Sequence, residues 1–289
     1  MTDVKKYLGI SLDPVHIGAG GYRLGRVDNT IVRDPATDIP KIPGTSLAGV
    51  IREYSTIYLK ETERPVGKSV EEEIDNLFGN PDRQGASRFY DAQIVLFPVS
   101  SIKGTIWITT KNLLSDWLSG NKELIKKLGD LTDGEVLLLK GINAEKINLG
   151  WLLFDVVNRK KGINFDNEIN LHYELKDKIK RVAVVSDSVF SQLINNNLEV
   201  RTSVRIDNQT GTAEQGGLFT YEAIPRGTVF GFEMIIDKRR QDEIDNWDEV
   251  LDGALNYTKL LGIGGMGTRG FGRVSFFKVE EGKKDNGES

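Results

Sequence analysis

Two polar side chains near the N-terminus, His16 and Asp28, are of the types that proton transfer or metal binding requires. His16 belongs to a glycine-rich segment that ends just before Asp28. An imidazole titrates near neutral pH and could carry a proton at a ribose 2′-hydroxyl. An aspartate, with an ordinary pKa of ~3.9, is a poor base. Asp28 could instead hold a divalent ion near a phosphate, but taken alone a histidine and an aspartate twelve residues apart fit an ordinary surface loop better.

The loop at 262–272 holds six glycines and matches the dinucleotide-binding pattern GxGxxG twice. That pattern works only where the loop follows a strand and opens a helix. Here a helical pattern precedes the loop and a strand pattern follows it, so the dinucleotide interpretation fails. Unhindered backbone N–H groups still suit phosphates, and a simple tight turn is the alternative. The residues that we expect at a phosphate backbone are Gly264, Gly265, Gly267, Arg269 and Gly270.

Residues 200–224 alternate basic and aromatic side chains on either side of a turn at 208–211. This pattern predicts a long hairpin. Arginines interleaved with aromatic rings suit phosphate pairing and base stacking, and an ordinary edge hairpin is the alternative. The side chains concerned are Arg201, Arg205, Asn208, Phe219, Tyr221 and Glu222.

Composition limits the function classes. The 38 basic and 42 acidic side chains leave a net charge of −4, which excludes a wholly basic surface but not a local basic groove. Residues 259–279 carry four basic and no acidic side chains, whereas 241–258 carry six acidic and no basic ones. No cysteine and only two histidines exclude thiolate or histidine-rich metal sites and a cysteine nucleophile. No signal peptide or membrane span is recognisable, so we expect a cytoplasmic protein without a membrane partner.

Glycine is unevenly distributed among the 289 residues. Of the 31 glycines, five fall in 9–25, three in 211–217 and six in 262–272. Glycine supplies positive φ angles and allows close approach of a partner. Three places therefore need a backbone that other residues cannot provide.

Hydrophobic periodicity predicts the elements that must position these groups. Residues 4–12 predict a strand, and 44–58 predict an amphipathic helix with a hydroxyl cap at its start. Residues 111–180 are expected to form an insertion with a helix over 111–128. Further strands are expected at 88–97, 105–110, 135–140, 151–157, 181–185, 200–207, 218–224, 228–237 and 271–279, and further helices at 74–78, 187–196 and 242–261.

Strand–helix–strand patterns at both ends, with strands between them, predict an α+β fold. The expected core is an elaborated ferredoxin-like (RRM-like) βαββαβ arrangement. We expect a single domain over 1–280, with the inserted lobe near 111–180 and a long hairpin near 200–224. Residues 281–289 are expected to be a disordered tail.

The order of the motifs resembles the RAMP superfamily of CRISPR proteins, and within it the repeated backbone subunit of the type III-B (Cmr) effector complex. The family's helix motif usually reads GSSLKG, and this chain has Ala48 at the lysine position, which leaves Lys41 and Arg52 as candidates for that guide-RNA contact. The motifs that carry the resemblance are HIGAG (16–20), DNTIVR (28–33), IPKIPGTSLAG (39–49), LFPVSSIKG (96–104), TGTAEQGGL (210–218) with IP (224–225), and the terminal glycine loop.

The resemblance implies copies that stack into a filament along a CRISPR RNA, together with other subunits of the complex. The hairpin would be the thumb that kinks the guide–target duplex, and each copy would cleave single-stranded target RNA with a divalent metal such as Mg²⁺ or Mn²⁺. Asp28 is carried over as the catalytic and metal-binding residue, with His16 and Glu222 assisting. Further implied RNA contacts are Lys41, Ser46, Arg52, Arg201 and Arg205. The alternatives are a non-catalytic guide-RNA scaffold and a stand-alone nuclease that processes precursor guide RNA.

Overall fold

The computed structural model describes residues 2–20, 27–63, 69–119, 122–157, 169, 171–207, 209–237, 239 and 246–279. The predicted α+β class is confirmed, with a central mixed sheet flanked by helices. The strands are β1 (Thr2–Ser11), β2 (Lys41–Ile42), β3 (Ser87–Phe89), β4 (Ala92–Val99), β5 (Ile106–Thr110), β6 (Glu135–Lys140), β7 (Lys146–Leu149), β8 (Leu152–Val156), β9 (Val182–Val185), β10 (Glu199–Ile206), β11 (Ala213–Ala223), β12 (Val229–Asp237) and β13 (Val274–Lys278).

The helices agree with the periodicity except in the insertion. The expected helix over 111–128 is broken into a short α-helix, a π-helical turn at Leu114–Leu118 and a second α-helix. Strand β7 was not expected from the sequence. The α-helices are α1 (Gly44–Glu61), α2 (Val70–Phe78), α3 (Lys111–Leu113), α4 (Lys122–Leu128), α5 (Tyr173–Lys178), α6 (Asp187–Asn196) and α7 (Trp247–Tyr257).

The main sheet has the strand order β13-β1-β12-β4-β5-β9-β6-β8-β7, with β2 pairing β4 and β3 pairing β12. Its longest ladder is antiparallel and runs from the pair Thr2–Asp237 to the pair Ile10–Val229. The pairs β5–β9 and β6–β8 are parallel. Strands β10 and β11 form a separate antiparallel hairpin that leaves this sheet.

Both faces of the sheet are buried. Successive side chains point to opposite faces of a strand, so Tyr7 joins the core beneath α1 and α7 while Leu8 joins a second core on the other face. The run Ile94–Phe97 in β4 is buried throughout, as expected of a strand covered on both sides.

The insertion covers the second face and extends the same sheet. Trp117 of the π-helical turn and Leu124 of α4 pack with Leu8 and other back-face residues. Gly231 of β12 makes room for this cover, because a Cβ there would lie 2.6 Å from the Trp117 ring. Strands β6, β7 and β8 add to the sheet beyond β9. The predicted inserted lobe is therefore an extension of the core.

Helix α1 begins without the hydroxyl cap that the sequence led us to expect. Its N-cap is Pro43, and no side chain of the cap residue bonds to the first turn. The carboxylate of Asp91 accepts the Gly44 N–H at 2.8 Å instead and lies 2.7 Å from the Lys41 ammonium. A carboxylate that is distant in sequence thus takes the role of a local cap.

No helix in the described part of the chain is long and apolar enough to cross a membrane.

Replacing Asp91 with alanine should lower the free energy of unfolding by about 1 kcal/mol, the usual worth of a helix cap. Burial raises the pKa of Asp91, but the hydrogen bonds from Lys41 and the Gly44 N–H outweigh it and leave the pKa below its ordinary value. The part of this stabilisation that depends on the negative charge should therefore be present above pH ~3.9 and be lost as the pH falls through the lowered pKa. Urea denaturation followed by tryptophan fluorescence measures the change.

The matched variant is Asp91→Asn, which keeps an acceptor for the Gly44 N–H and loses only the charge opposite Lys41. We expect it to retain most of the stability at pH 7. A loss as large as that of Asp91→Ala would contradict the capping role and assign the effect to the ion pair.

Candidate RNA-binding and cleavage site

The N-terminal loop is fastened to the last residues of β11, at the root of the hairpin. Val15 and Ile224 exchange two backbone hydrogen bonds of 2.8 and 2.9 Å. Further along the loop, the Asn29 N–H donates to the Thr220 carbonyl at 3.1 Å, and the Asn29 carbonyl accepts the Glu222 N–H at 3.0 Å. These bonds give β11 a second backbone partner besides β10. They also hold the loop that carries His16 and Asp28 against the C-terminal end of β11.

Asp28 is exposed, and its carboxylate is held by a single residue of β11. Its Oδ2 accepts hydrogen bonds from the Thr220 N–H and the Thr220 hydroxyl, both at 2.8 Å. The Asp28 N–H donates to the same hydroxyl oxygen at 2.9 Å. The bonds from the Thr220 N–H and hydroxyl lower the pKa of Asp28. The group is therefore charged at neutral pH, which suits cation binding or orientation and not general base catalysis.

His16 is buried, with 5% of its surface exposed. Its Nδ1 lies 2.6 Å from the Glu222 carbonyl oxygen, so Nδ1 carries the proton and a neutral ring keeps Nε2 as an acceptor. The ring meets Tyr221 edge to face, with centroids 6.1 Å apart. Gly18 lies on the Nε2 side, where a Cβ would be 3.3 Å from that atom. The backbone of β11 thus sets the orientation of the imidazole.

Glu222, expected to assist catalysis, has both carboxylate oxygens engaged. Oε1 accepts from the Arg33 Nη2 at 2.6 Å, and Oε2 accepts the Ile31 N–H at 3.3 Å. The side chain is 12% exposed. Arg33 also donates to Asn195 Oδ1 at 3.2 Å. Arg33 belongs to the DNTIVR motif and had no predicted role; in the structure it ties this loop to β11 and α6.

The terminal glycine loop packs against the N-terminal loop. The Gly265 N–H donates to the His16 carbonyl at 2.9 Å. Gly264 has φ +86°, and a Cβ there would lie 2.5 Å from Ile17 Cδ1 and 2.6 Å from the His16 carbonyl oxygen. Tyr54 of α1 donates from its hydroxyl to the Gly262 carbonyl at 2.6 Å. Two of the three glycine clusters therefore meet, whereas the third lies at and near the hairpin turn.

The outer part of the glycine loop is open. Gly267–Arg269 form one turn of 3₁₀-helix, which Gly270 ends with φ +80°. A Cβ at Gly270 would meet nothing within 4 Å, and one at Gly267 would meet only the Leu261 carbonyl at 3.8 Å. A phosphate backbone can therefore approach the main chain here without a steric barrier.

Three arginines cover aromatic rings on the hairpin face that turns toward the glycine loop. The guanidinium of Arg201 lies 4.7 Å from the Phe271 ring centroid, and that of Arg205 lies 5.4 Å from the Phe219 centroid. Arg269 covers Tyr221 at 5.5 Å and donates to its hydroxyl. Arg201 also bonds to Glu199 at 2.5 Å and Arg205 lies 3.4 Å from Glu214, so a phosphate would compete with these carboxylates for the two guanidinium groups. The pairing of basic and aromatic residues predicted for this segment is present.

The opposite face of the hairpin is apolar and exposed. Side chains of cross-strand partners point to the same face of a hairpin. The pairs Val204–Leu218 and Thr202–Thr220 point to this apolar face. A two-stranded hairpin is marginal by itself, and exposed apolar residues indicate a contact surface. The exposed apolar side chains are Val200, Val204, Ile206 and Leu218.

Of three further predicted RNA contacts, two are engaged in ion pairs within the fold. Lys41 is 2.7 Å from Asp91 and 3.4 Å from Asp34. Arg52 bonds to Asp75 at 2.8 Å and to the Gly79 carbonyl, which joins α1 to α2. Ser46 is half-buried in the first turn of α1. Their RNA contacts stay predictions, and these ion pairs would compete with a phosphate for Lys41 and Arg52.

Other sequence candidates are placed as follows. Asn208 of the expected hairpin turn and the tail expected over 281–289 lie outside the described residues. The second histidine of the chain, His172, stacks on Phe277 with ring centroids 4.3 Å apart. Within the described ranges, no group of three or more His, Cys, Asp or Glu side chains is arranged to hold a metal ion.

The fold and this loop arrangement define a family. The model of the RAMP superfamily matches residues 11–275, and the chain belongs to that superfamily. Among its relatives is the CRISPR system Cmr endoribonuclease Cmr4 of Pyrococcus furiosus. It is 34% identical over an alignment of 288 positions, and this alignment covers 93% of this chain and 94% of the relative.

Solved structures agree. A chain in the cryo-EM structure of the type III-B Cmr-beta complex in the apo state has a TM-score of 0.71 at 18% identity, with 96% of this chain and 98% of that chain covered. This likeness is one of fold. The crystal structure of oligomeric Cmr4 from Pyrococcus furiosus has a TM-score of 0.65 at 26% identity, with coverage of 96% and 100%.

Gly264→Ala should lower the free energy of unfolding by at least about 2 kcal/mol, because the new Cβ adds a steric clash to a left-handed backbone. Gly265→Ala is the matched control, since its Cβ would meet only ordinary contacts beginning at 3.5 Å. We expect it to change stability by no more than about 0.5 kcal/mol. Equal losses in chemical denaturation would show that the close approach of the two loops is not the constraint.

Proposed function

We propose that this protein is a guide-RNA-binding subunit of a type III-B CRISPR effector complex that cleaves guide-paired target RNA at regular intervals, as part of antiviral defence. The observation that carries the proposal is the exposed, charged carboxylate of Asp28, which Thr220 holds at the root of the hairpin. A relative that is 34% identical over nearly the whole chain is named an endoribonuclease, which supports RNA cleavage by this chain.

The core of the proposed subunit is a ferredoxin-like βαββαβ unit. Its four strands would be β1, β4, β12 and β13, which lie in the order β13-β1-β12-β4 with antiparallel neighbours. Helix α1 connects the first two strands of this set, and α7 connects the last two. This connectivity supports the RRM-like assignment, with the β10–β11 hairpin as the thumb.

The guide RNA would follow the glycine loop and the adjoining hairpin face. Open backbone at Gly267 and Gly270 suits phosphates, and the arginine–aromatic pairs suit phosphates and stacked bases. Residues 259–279 carry no acidic side chain, so this surface is basic although the chain is acidic overall. Such contacts recognise the RNA backbone and not the base sequence, as a guide-binding subunit requires.

Copies of the subunit would stack head to tail along the guide. A contact between different surfaces of identical copies gives an open helical filament when the rotation does not close. The exposed apolar face of the hairpin needs a cover, and the structure of a relative at 26% identity is of oligomeric Cmr4. Similarity to a chain of the Cmr-beta complex supports further subunits as partners.

Cleavage would use the neighbouring ribose 2′-hydroxyl of the target strand. Its oxygen attacks the adjacent phosphorus, the bond to the 5′-oxygen breaks, and that oxygen takes a proton from water, so that a 2′,3′-cyclic phosphate and a 5′-hydroxyl form. Kinking of the duplex by the thumb would bring these atoms into line, which supplies much of the rate acceleration without an elaborate site. Asp28 would orient the reacting nucleotide, and the His16 Nε2 is the candidate acceptor for the 2′-hydroxyl proton.

A divalent metal ion fits this site only together with the RNA. Mg²⁺ is usually held by one or two carboxylates plus substrate phosphates and waters, and Asp28 is the one site carboxylate that is both exposed and unpaired with a base. Bound there, Mg²⁺ or Mn²⁺ would neutralise charge that develops at the scissile phosphate.

A second candidate function is a non-catalytic guide-RNA scaffold, with cleavage elsewhere in the complex. The burial of His16 and the engagement of Glu222 with Arg33 favour it, because both assisting side chains already serve the fold. The scaffold would bind guide and target in the same way and would leave the target intact.

Asp28→Asn separates the two functions. Asparagine keeps the size of the side chain and an oxygen acceptor for Thr220, and it loses the negative charge. Within the assembled complex we expect cleavage of a labelled, guide-paired RNA to fall by about 100-fold or more, with target affinity unchanged. Cleavage at the wild-type rate by an intact assembly would exclude the catalytic role and favour the scaffold.

Arg205→Ala should weaken RNA binding to a similar degree for unrelated sequences and should reduce the slope of log Kd against log salt concentration by about 1. Arg205 is exposed on the basic face of the hairpin, where it pairs only loosely with Glu214 at 3.4 Å. Fluorescence anisotropy over a salt series measures both quantities.

The control is Arg239→Ala. Arg239 follows β12 at the end away from the hairpin and pairs with Asp237. Its loss should leave the salt slope unchanged. An equal effect of both substitutions would mean that net charge, and not the hairpin surface, governs binding.

A further inference from the structure

The hydrogen bonds that Asp28 makes with other described residues all involve Thr220. The Thr220 N–H and hydroxyl converge on Oδ2, and the Asp28 N–H returns to the hydroxyl oxygen. The hydroxyl is therefore both donor and acceptor in one closed contact. Two bonds to the same oxygen fix the rotation of the carboxylate as well as its position.

This contact leaves Oδ1 as the outward oxygen. No other residue within the described ranges donates a hydrogen bond to it, and Asp28 is exposed to solvent. Thr220 is half-buried between the loop and the strand. A threonine in that place can aim the carboxylate without itself reaching a bound RNA.

The two residues of β11 that follow Thr220 contact other parts of the candidate site. The next residue, Tyr221, lies under the Arg269 guanidinium, and Glu222 pairs with Arg33. The Glu222 carbonyl accepts the proton of His16 Nδ1. Consecutive residues of one strand thus hold the carboxylate, the basic surface and the imidazole, so that movement of the hairpin would move Asp28.

We infer that Thr220 is the positioning residue for Asp28, and that through it the hairpin sets the geometry of target cleavage. This inference rests on the proposed function. Thr220 does not touch the reacting atoms. Its hydroxyl orients the Asp28 carboxylate toward the RNA, and displacement of the hairpin by the guide–target duplex is transmitted to the carboxylate through these hydrogen bonds.

The experiment compares Thr220→Val with Thr220→Ser in the assembled complex. Valine keeps the shape and the β-branched strand preference of threonine but removes the hydroxyl, whereas serine keeps the hydroxyl and is the poorer strand former. Single-turnover cleavage of a labelled target and target affinity are measured for each variant. Thr105→Val, the same substitution at an exposed position remote from the site, is the control for the loss of a hydroxyl.

Positioning predicts that Thr220→Val slows cleavage by roughly ten- to a hundredfold with unchanged affinity, since small displacements of a reacting group cost rates of this order. Thr220→Ser should restore most of the rate. A merely structural role predicts the reverse order, with serine the worse variant. That order, or equal rates for Thr220→Val, Thr105→Val and the wild type, would overturn the inference.

Failure of the proposed function has a different signature. If Asp28→Asn cleaves at the wild-type rate, the chain is not the nuclease, whatever the Thr220 variants do. If Asp28→Asn is inactive while Thr220→Val is fully active, the nuclease assignment stands and only the positioning role is wrong.

Discussion

The structure of the candidate site depends on the backbone hydrogen bonds that fasten residues 15–29 to the C-terminal end of β11. Without them, Asp28 would sit in an unattached glycine-rich loop and the hairpin would be a bare two-stranded ribbon, which is marginal in water. The bonds of Val15 with Ile224 and of Asn29 with Thr220 and Glu222 solve both problems together. The loop supplies a further partner for the strand, and the strand supplies a rigid support for the loop. Because the contact is mutual, its energy stabilises the candidate site residues and the hairpin as one unit.

The side chains around this contact separate structural from chemical roles. The carboxylate of Glu222 is neutralised by Arg33 with little exposure, so it acts as a fixed buried ion pair. The carboxylate of Asp28 is bonded by uncharged donors only and stays at the surface. A carboxylate held by neutral donors keeps its charge available to an external cation or phosphate-bound metal, whereas one held by arginine does not. Exposure and the nature of the donor thus distinguish two acids that look equivalent in the sequence.

Much of this arrangement could be predicted from local sequence, and the rest depends on contacts between distant residues. The helix over 187–196 and the long hairpin follow from periodicity and turn residues, since both elements carry their information locally. The interruption after α3 has no such local signal, because the π-helical turn accompanies the packing of Trp117 against Gly231 across the sheet. Lys41 and Arg52 were expected at RNA because they lie near Ala48, which stands where the family's helix motif usually has a lysine. Their partners Asp91 and Asp75 lie too far along the chain for the sequence to reveal the pairing.

Thr220 has no signal in a single sequence, since an isolated threonine in a strand is ordinary. It acquires meaning only when β11 brings it against Asp28. The consequence concerns how a site could act on RNA when, among its described residues, Asp28 supplies the exposed carboxylate and no cluster of metal ligands is present. Such a site cannot impose the reactive geometry by itself, so the geometry must come from the bound nucleic acid, and the protein must recognise when that geometry has been reached. Under the proposed function, a carboxylate attached to the hairpin that would kink the duplex meets this requirement, because it is correctly placed only when the hairpin is. Cleavage would then depend on the guide–target duplex being in position, and an acid that is exposed in the free subunit would be harmless to other RNA.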